Sequence, residues 1–387
     1  MNFRIEGLKA LDGILGRPAG FLARVFIRPR KGKSVRIENF PFETESHEKL
    51  KILVIRPGGI GDAALLYPFL HVLNEHFKNS EIDILAEKRN SGILVGCPYI
   101  NEVFLYDSRS LFVLYKTLRK KYDIVIDSEQ WHRLSAVVTY LTRAPIRVGF
   151  GTNDRSELFT HAVPYSHDQY EVFSFLNLAS TITGDSHEFN EISPFIPIDQ
   201  SLVSRFSPRI NELRNRCAAI AGIFSGSTTR ERRWGISKYA ALAERLINEG
   251  FGIVIVGGNE DVEDSAKLQE IANGDSTINY AGKTSLIETA AIISQLDLLV
   301  SSDTGLMHIA YGVGTPTVSL FGAGIQEKWA PVGASNIALN KHLPCSPCTR
   351  FGYTPKCPYE VRCLVDISVE EVKGVVLELI SRVKRQG

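Results

Sequence analysis

From Leu50 onward, short β-branched apolar runs alternate with longer amphipathic stretches. Lys51-Ile52-Leu53-Val54-Ile55 predicts a buried strand, and Asp62 to Phe77 the helix that follows it. Glu81 to Ala86 and Tyr122 to Asp127 read as further strands. Apolar runs without strict alternation suit parallel strands buried on both faces. Repeated strand–helix alternation predicts a doubly wound α/β sheet. The pattern restarts after about residue 205, with strands at Ala218–Phe224, Phe251–Val256, Leu296–Val300 and Thr317–Phe321 and a helix from Ser237 to Glu249. Asn190 to Pro208, rich in Pro, Ser and Asp, reads as a linker. The expected architecture is two α/β domains with a cleft between them: an extension over 1–48, one domain over 49–205 and another over 206–387. The last ends in a Cys-rich loop, Cys345 to Pro358, and a helix that Ser368 can cap.

The length of 387 residues agrees with two domains of roughly 100–200 residues each. Lys plus Arg is 44 against 43 for Asp plus Glu, a net charge of +1 that gives no support to a nucleic-acid binder. Splitting the chain changes that picture. Arg4, Lys9, Arg17, Arg24, Arg28, Arg30, Lys31, Lys33 and Arg36 face only Glu6 and Asp12, so residues 1–36 carry +7. A total of +1 then leaves −6 on the other 351 residues. Among those cations, Leu8, Leu11, Ile14, Leu15, Phe21, Leu22, Val25 and Phe26 lie near helical spacing. Such a mixture suits the surface of an anionic membrane, with a solvated tail as the alternative. No run approaches the ~18–20 apolar residues of a membrane-spanning helix, and no secretory signal is visible. The expected location is the cytoplasm, with peripheral contact on the cytoplasmic face of the inner membrane.

Candidate chemistry sits where strands end. Arg56-Pro57-Gly58-Gly59-Ile60-Gly61-Asp62-Ala63-Ala64 is a glycine-rich strand-to-helix turn, a place where backbone can approach a ligand and an anion is favoured. Its latter half fits the dinucleotide pattern G-x-G-x-x-G/A, with Glu81, Asp83 and Glu87 about 20 residues on. Taken alone, it also reads as a tight turn with Asp62 as a helix cap. Ser301-Ser302-Asp303-Thr304-Gly305-Leu306-Met307-His308 follows another strand, with Asp303 or Thr304 a natural N-cap and His308 one turn beyond Thr304. A carboxylate, a hydroxyl, backbone amides and an imidazole around one helix start suit a pyrophosphate or a ribose. His308 by itself is as readily a core histidine.

Ser225-Gly226-Ser227-Thr228-Thr229-Arg230-Glu231-Arg232-Arg233-Trp234 gathers hydroxyls and three arginines, whose forks match phosphate oxygens. Gly257-Gly258-Asn259-Glu260-Asp261 ends a further strand. Of six cysteines, Cys97 and Cys217 stand alone. Cys345, Cys348, Cys357 and Cys363 leave a zinc site, a redox disulfide and structural thiols all open.

Together these motifs resemble glycosyltransferase family 9, the lipopolysaccharide heptosyltransferases. The likeness rests on Ile52 to Asp62, Ser302 to Ala310, Gly312 to Gly322, and Cys345-Ser346-Pro347-Cys348 through Cys363-Leu364. It implies a GT-B fold of two facing Rossmann-like domains, the first binding acceptor and the second binding donor. It also implies inverting, metal-independent transfer of a sugar from a nucleotide diphosphate to a glycolipid hydroxyl, with no cofactor and no nucleic acid. By this resemblance Asp62 is the general base, and Gly58, Gly59 and Gly61 of its loop are substrate- or donor-binding residues. Arg232 stands where the family has a lysine and would offset the diphosphate. Ser227, Thr228, Gly257, Gly258, Glu260, Thr304 and Gly305 would surround the donor, with Asp303 and His308 on its nucleotide side. Departures from the pattern are Trp234-Gly235 in place of Trp-Pro, Gly58-Gly59 in place of two serines, and the basic extension. They leave the sugar open, heptose included. An NAD-dependent oxidoreductase and a binding protein without turnover are the competing readings.

Overall fold

The computed structural model describes residues 2–26, 49–105, 116–189, 191, 194–272 and 274–386. The chain divides into two compact units, Met1–Phe189 and Asn190–Gly387. In the first, β1 (Leu50–Arg56), β2 (Ser80–Ala86), β3 (Glu102–Leu105), β4 (Ile124–Asp127), β5 (Ile146–Phe150) and β6 (His161–Val163) form one sheet. Its order is β3-β2-β1-β4-β5-β6, with every pairing parallel. Ile52 to Ile55 are wholly buried, as a central strand covered on both faces requires.

The helix expected over Asp62–Phe77 is two helices, α2 (Ile60–Leu65) and α3 (Tyr67–His76). Pro68, in the first turn of α3, has no N–H to continue the ladder, so the chain restarts there. The N-terminal arm is helical over α1 (Asn2–Phe26), while residues 27–48, including Arg28 to Arg36, lie outside the described residues. The helices α4 (Lys88–Leu94), α5 (Arg133–Leu141) and α6 (Glu171–Thr183) also belong to this unit.

The second unit begins at Asn190, before the expected boundary at 205 and 206. The segment read as a linker holds the first part of α7 (Gln200–Arg214), with Asp199 Oδ1 accepting the Ser201 N–H at 2.8 Å. Pro208 stands inside it, yet Phe206, Ile210 and Leu213 recur at helical spacing and are buried, which outweighs the breaker. The sheet of β7 (Ala219–Phe224), β8 (Phe251–Ile255), β9 (Thr277–Asn279), β10 (Leu298–Ser302), β11 (Thr317–Phe321) and β12 (Asn336–Asn340) is again parallel, in the order β12-β11-β10-β7-β8-β9. Counted within its unit, that order is the same as in the first sheet, and it is the Rossmann order.

Of the remaining helices, α8 (Ile236–Asn248) and the terminal α9 (Val369–Gln386) pack into the core of this unit, which includes Trp234, Tyr239, Leu246, Val372 and Val376. Ser368 caps α9 as expected: its Oγ accepts the Glu371 N–H at 3.2 Å, and Glu371 Oε2 accepts the Ser368 N–H at 2.7 Å.

Candidate active site

In each sheet the strand order reverses at one point, between β1 and β4 and between β7 and β10. Open α/β sheets bind ligands at the carboxyl ends of the strands flanking such a point. The sequence motifs occupy both places.

In the first unit, Ile55 pairs with Asp127, so the loops leaving β1 and β4 are neighbours. Gly58 takes φ +111°, a conformation that side chains disfavour. A methyl group on Gly59 would lie 2.4 Å from Asp62 Oδ2, so the carboxylate folds back over the glycine. Gly61 is buried inside α2. Asp62 is held by a residue the sequence reading missed: Gln130 Nε2 donates to its Oδ1 at 3.1 Å. The same amide donates to Glu171 Oε1 at 2.5 Å, and the Tyr165 hydroxyl donates to Glu171 Oε2 at 3.0 Å.

Beside them lies Arg56, buried, which donates to the Ser128 carbonyl at 2.7 Å and to Glu129 Oε2 at 3.1 Å. Its Nη2 is 3.7 Å from Asp62 Oδ1. Burial works against the guanidinium charge, but Asp62, Glu129, Glu171 and Asp127 around it raise its pKa. For Glu129, burial pushes the carboxyl up, but Arg56, His132, Arg155 and the Trp131 amide together outweigh it and hold the carboxyl below its ordinary value. Behind this layer Arg155 Nη2 pairs with Asp127 at 2.6 Å, both wholly buried. Glu129 and Glu171 are buried and committed, whereas the Asp62 side chain is 20% exposed. Of the three carboxylates, Asp62 is the one open to a substrate.

A dinucleotide reading needs a carboxylate free at the end of β2. Asp83 is buried in mid-strand and accepts from Tyr122 and Lys120. Glu87 is committed to the start of α4 and to Arg89 at 2.7 Å. Glu81 sits near the start of β2 rather than its end.

In the second unit, loops from four strands meet. A methyl group on Gly226 would lie 2.2 Å from Asp261 Oδ1, and one on Gly257 would lie 2.9 Å from the Asp261 Cβ. The Gly258 N–H donates to Asp261 Oδ2 at 2.8 Å. Burial raises the Asp261 pKa, with the Gly258 amide acting the other way. Glu260, named from sequence, is exposed; its neighbour Asp261 ties the β7 and β8 turns together. Arg233 braces its own loop by donating to the Ser227 carbonyl at 2.8 and 3.1 Å, while Thr228 and Arg230 are exposed.

Arg232 Nη1 lies 3.3 Å from Asp303 Oδ2, and a methyl group on Gly324, just past β11, would lie 2.0 Å from that same oxygen. The helix after β10 runs from Gly305 to Gly312. Thr304 occupies its N-cap position without a side-chain cap; its hydroxyl pairs instead with Ser301 Oγ at 2.8 Å. No side-chain cap is therefore spent on the first-turn amides, which suits an anion. His308 is buried on this helix, its ring edge-on to Trp329 at 6.0 Å. Gly235 takes φ +108° ahead of α8, a conformation closed to proline, which accounts for the missing Trp-Pro. Trp234 is a core residue, its Nε1 donating to the Ile367 carbonyl at 2.9 Å.

Thus Gly58, Gly59 and Asp62 come together in the first unit. Ser227, Arg232, Gly257, Gly258, Asp303, Thr304, Gly305 and His308 line strand ends in the second. Arg56, Glu129, Gln130, Tyr165, Glu171 and Asp261 were not named as site residues from sequence. Ser128-Glu129-Gln130 did carry a signal, since it directly follows a strand. The cysteines are unpaired thiols, and among the described residues no group of three or more His, Cys, Asp or Glu is placed to hold a metal ion. Cys363 packs against Gly322, whose Cβ position lies 2.7 Å from its sulfur.

Comparison with known proteins agrees with this geometry. The model of glycosyltransferase family 9 (heptosyltransferase) matches residues 111–357. Lipopolysaccharide heptosyltransferase 3 of Escherichia coli is 27% identical over 292 residues, covering 70% of this chain and 83% of the relative. The structure of E. coli ADP-heptose lps heptosyltransferase II superposes with a TM-score of 0.70 at 22% identity, over 87% of this chain and 100% of the other. E. coli heptosyltransferase WaaC with ADP-2-deoxy-2-fluoro heptose gives 0.64 at 18% identity, over 85% and 99%. The fold is GT-B, with two Rossmann-like units, and no described helix is long and apolar enough to cross a membrane. With the family profile spanning well over half of its length, the chain belongs to glycosyltransferase family 9 and is a glycosyltransferase.

Proposed function

We propose that this enzyme transfers a heptose, with inversion, from an ADP-linked donor to a hydroxyl of a lipopolysaccharide-core acceptor. The single observation that carries the reading is the Asp62 carboxylate, oriented by Gln130 and left open to solvent beside two buried carboxylates. Heptose and ADP follow from the names of the relatives. Asp62 takes the proton of the acceptor hydroxyl as its oxygen attacks the anomeric carbon from the face opposite the leaving diphosphate. Arg56 Nη2 stands 3.7 Å from Asp62 Oδ1 and, with Gln130, keeps the carboxylate in place.

Charge then builds on the diphosphate. The Arg232 guanidinium offsets it, with Asp303 fixing the fork and the Gly305 end of the helix supplying amides. Ser227, Thr228, Gly257, Gly258 and Glu260 form the surrounding donor surface, and His308 supports the nucleotide side. Residues 49–189 carry the acceptor site and the second unit the donor site. Because the offsetting cation is a side chain, transfer is metal-independent.

Asp62→Asn separates chemistry from binding. The variant is expected to bind ADP-heptose as the parent does and to lose transfer by about a hundredfold or more. Transfer at the parental rate would remove Asp62 as the base. A thermal shift by GDP- or UDP-sugars but not by ADP-heptose would overturn the donor assignment.

A further inference from the structure

The N-terminal helix α1 has two unlike faces, and the unexpected one is docked. Asp12, Gly16, Ala19, Gly20 and Ala23 turn toward the first unit. Gly16 lies against Arg133, where a methyl group would come within 2.8 Å of its Cβ, and Ala23 joins Ala136, Val137, Tyr140, Leu158 and Phe159 in one apolar cluster. The buried Asp12 carboxylate accepts the Leu134 N–H at 2.7 Å and faces His132 at 3.6 Å. Arg17 and Arg24 reach down the flanks to Asp154 and Glu157.

Five large apolar side chains between Ile14 and Val25 point the other way. Ile14, Leu15, Phe21, Leu22 and Val25 are 72%, 46%, 60%, 50% and 55% exposed. At 100° per residue they share an arc of about 120°, opposite the docked face. Side chains of this size in a contiguous outward stripe mark an interaction surface. Directly after α1 the sequence carries Arg28, Arg30, Lys31, Lys33 and Arg36, with no acidic residue through position 36. An apolar stripe followed in the sequence by a run of cations complements an anionic lipid surface, apolar in depth and negative at its headgroups.

We propose that the outward face of α1 seats the enzyme on an anionic bilayer, as a helix lying in the interface rather than crossing it. The proposal goes beyond the transferase reading and gives it a geometry. Asp12 binds the first turn of α5, and Glu129 and Gln130, which hold Arg56 and Asp62, lie in the loop that leads into that turn. A helix fixed at the membrane thereby fixes the base loop close to the layer where a glycolipid hydroxyl is presented.

The test is flotation of the full-length chain with phosphatidylcholine vesicles, with and without phosphatidylglycerol. Binding is expected to the mixed vesicles, falling as salt is raised. Phe21→Asp combined with Leu22→Asp should weaken it at least about tenfold, since both side chains would have entered the apolar layer. Lys31→Glu with Lys33→Glu should weaken binding to the mixed vesicles only. Equal flotation of parent and Phe21/Leu22 variant, or no flotation of the parent, overturns the proposal. So does a parental dimer in sedimentation that the variant abolishes without any vesicle binding, because the stripe would then face a second copy. If the double variant melts early, Ile14→Asp carries the same test. Transfer to a water-soluble acceptor and the thermal shift by ADP-heptose should match the parent in the Phe21/Leu22 variant. The catalytic reading therefore stands or falls separately.

Discussion

Gly59→Ala is the sharpest way to test whether the placement of Asp62, rather than its presence, governs turnover. Gly59 has φ −68° and ψ 152°, which alanine adopts without strain. The obstacle is the new methyl group, 2.4 Å from Asp62 Oδ2 where ordinary contact begins near 3.4 Å, so the carboxylate must retreat by about 1 Å. A misplacement of about 1 Å at a reacting group costs on the order of a hundredfold in rate. Stability should move the other way or stay level, because an alanine in a compatible conformation gains about 0.4–1 kcal/mol from the unfolded chain. The expected result is a kcat lower by about a hundredfold, an unchanged Kd for ADP-heptose by calorimetry, and a Tm equal to or slightly above the parent. Gly58→Ala gives the contrast, since φ +111° there should lower the Tm. A Gly59→Ala enzyme with kcat within about twofold of the parent would refute the argument that this glycine exists to seat the base.

Three further outcomes follow from the geometry. Gly324→Ala brings a methyl group 2.0 Å from Asp303 Oδ2, so it should displace the partner of Arg232 and raise the donor KM more than it lowers kcat; an unchanged KM would argue against Asp303 in donor binding. Among the thiols, burial pushes Cys97 and Cys363 up to about 11, so at pH 8 both should resist a thiol reagent in the native protein while the exposed Cys345 reacts first, as peptide mapping after a short labelling pulse would show. Burial raises the Asp12 carboxyl, but bonds to His132 and to the Leu134 and Arg133 amides reverse this, and its pKa ends below the ordinary value. Its contribution to holding α1 is therefore complete above the ordinary carboxylate pKa of about 3.9 and is lost as pH falls through the lower folded value. Hydrogen exchange of α1 amides should accelerate in that window, and Asp12→Asn should show the loosened state already at neutral pH; equal protection in both proteins would sink the idea.

The strands were legible because a strand buried on both faces must be a continuous apolar run. Ile52 to Ile55 and Ala219 to Phe224 could be located from that alone. Segment ends and interruptions were less so. Pro68 falls in the first turn of a new helix, where no intrahelical N–H is needed, whereas Pro208 is carried inside α7. The glycine-rich loop and the Asp303-Thr304-Gly305 turn stood out as glycines, hydroxyls and charges at strand ends, whereas Asp62 and Arg232 were singled out as candidates through the family resemblance.

Partners brought from distant positions were not legible. Gln130 and Glu171 are 41 residues apart and meet on one amide, and Asp261 joins two turns through glycines that carry no side chain to signal it. The amino-acid sequence by itself determined two Rossmann-like sheets, the strand ends where chemistry gathers and an amphipathic basic arm. Only the tertiary structure decided which carboxylate stays open and which face of α1 docks. Both choices depend on close approach between segments distant in sequence. Gly16, Gly20 and Ala23 of α1 can meet α5, and Leu15, Phe21 and Leu22 are left outside.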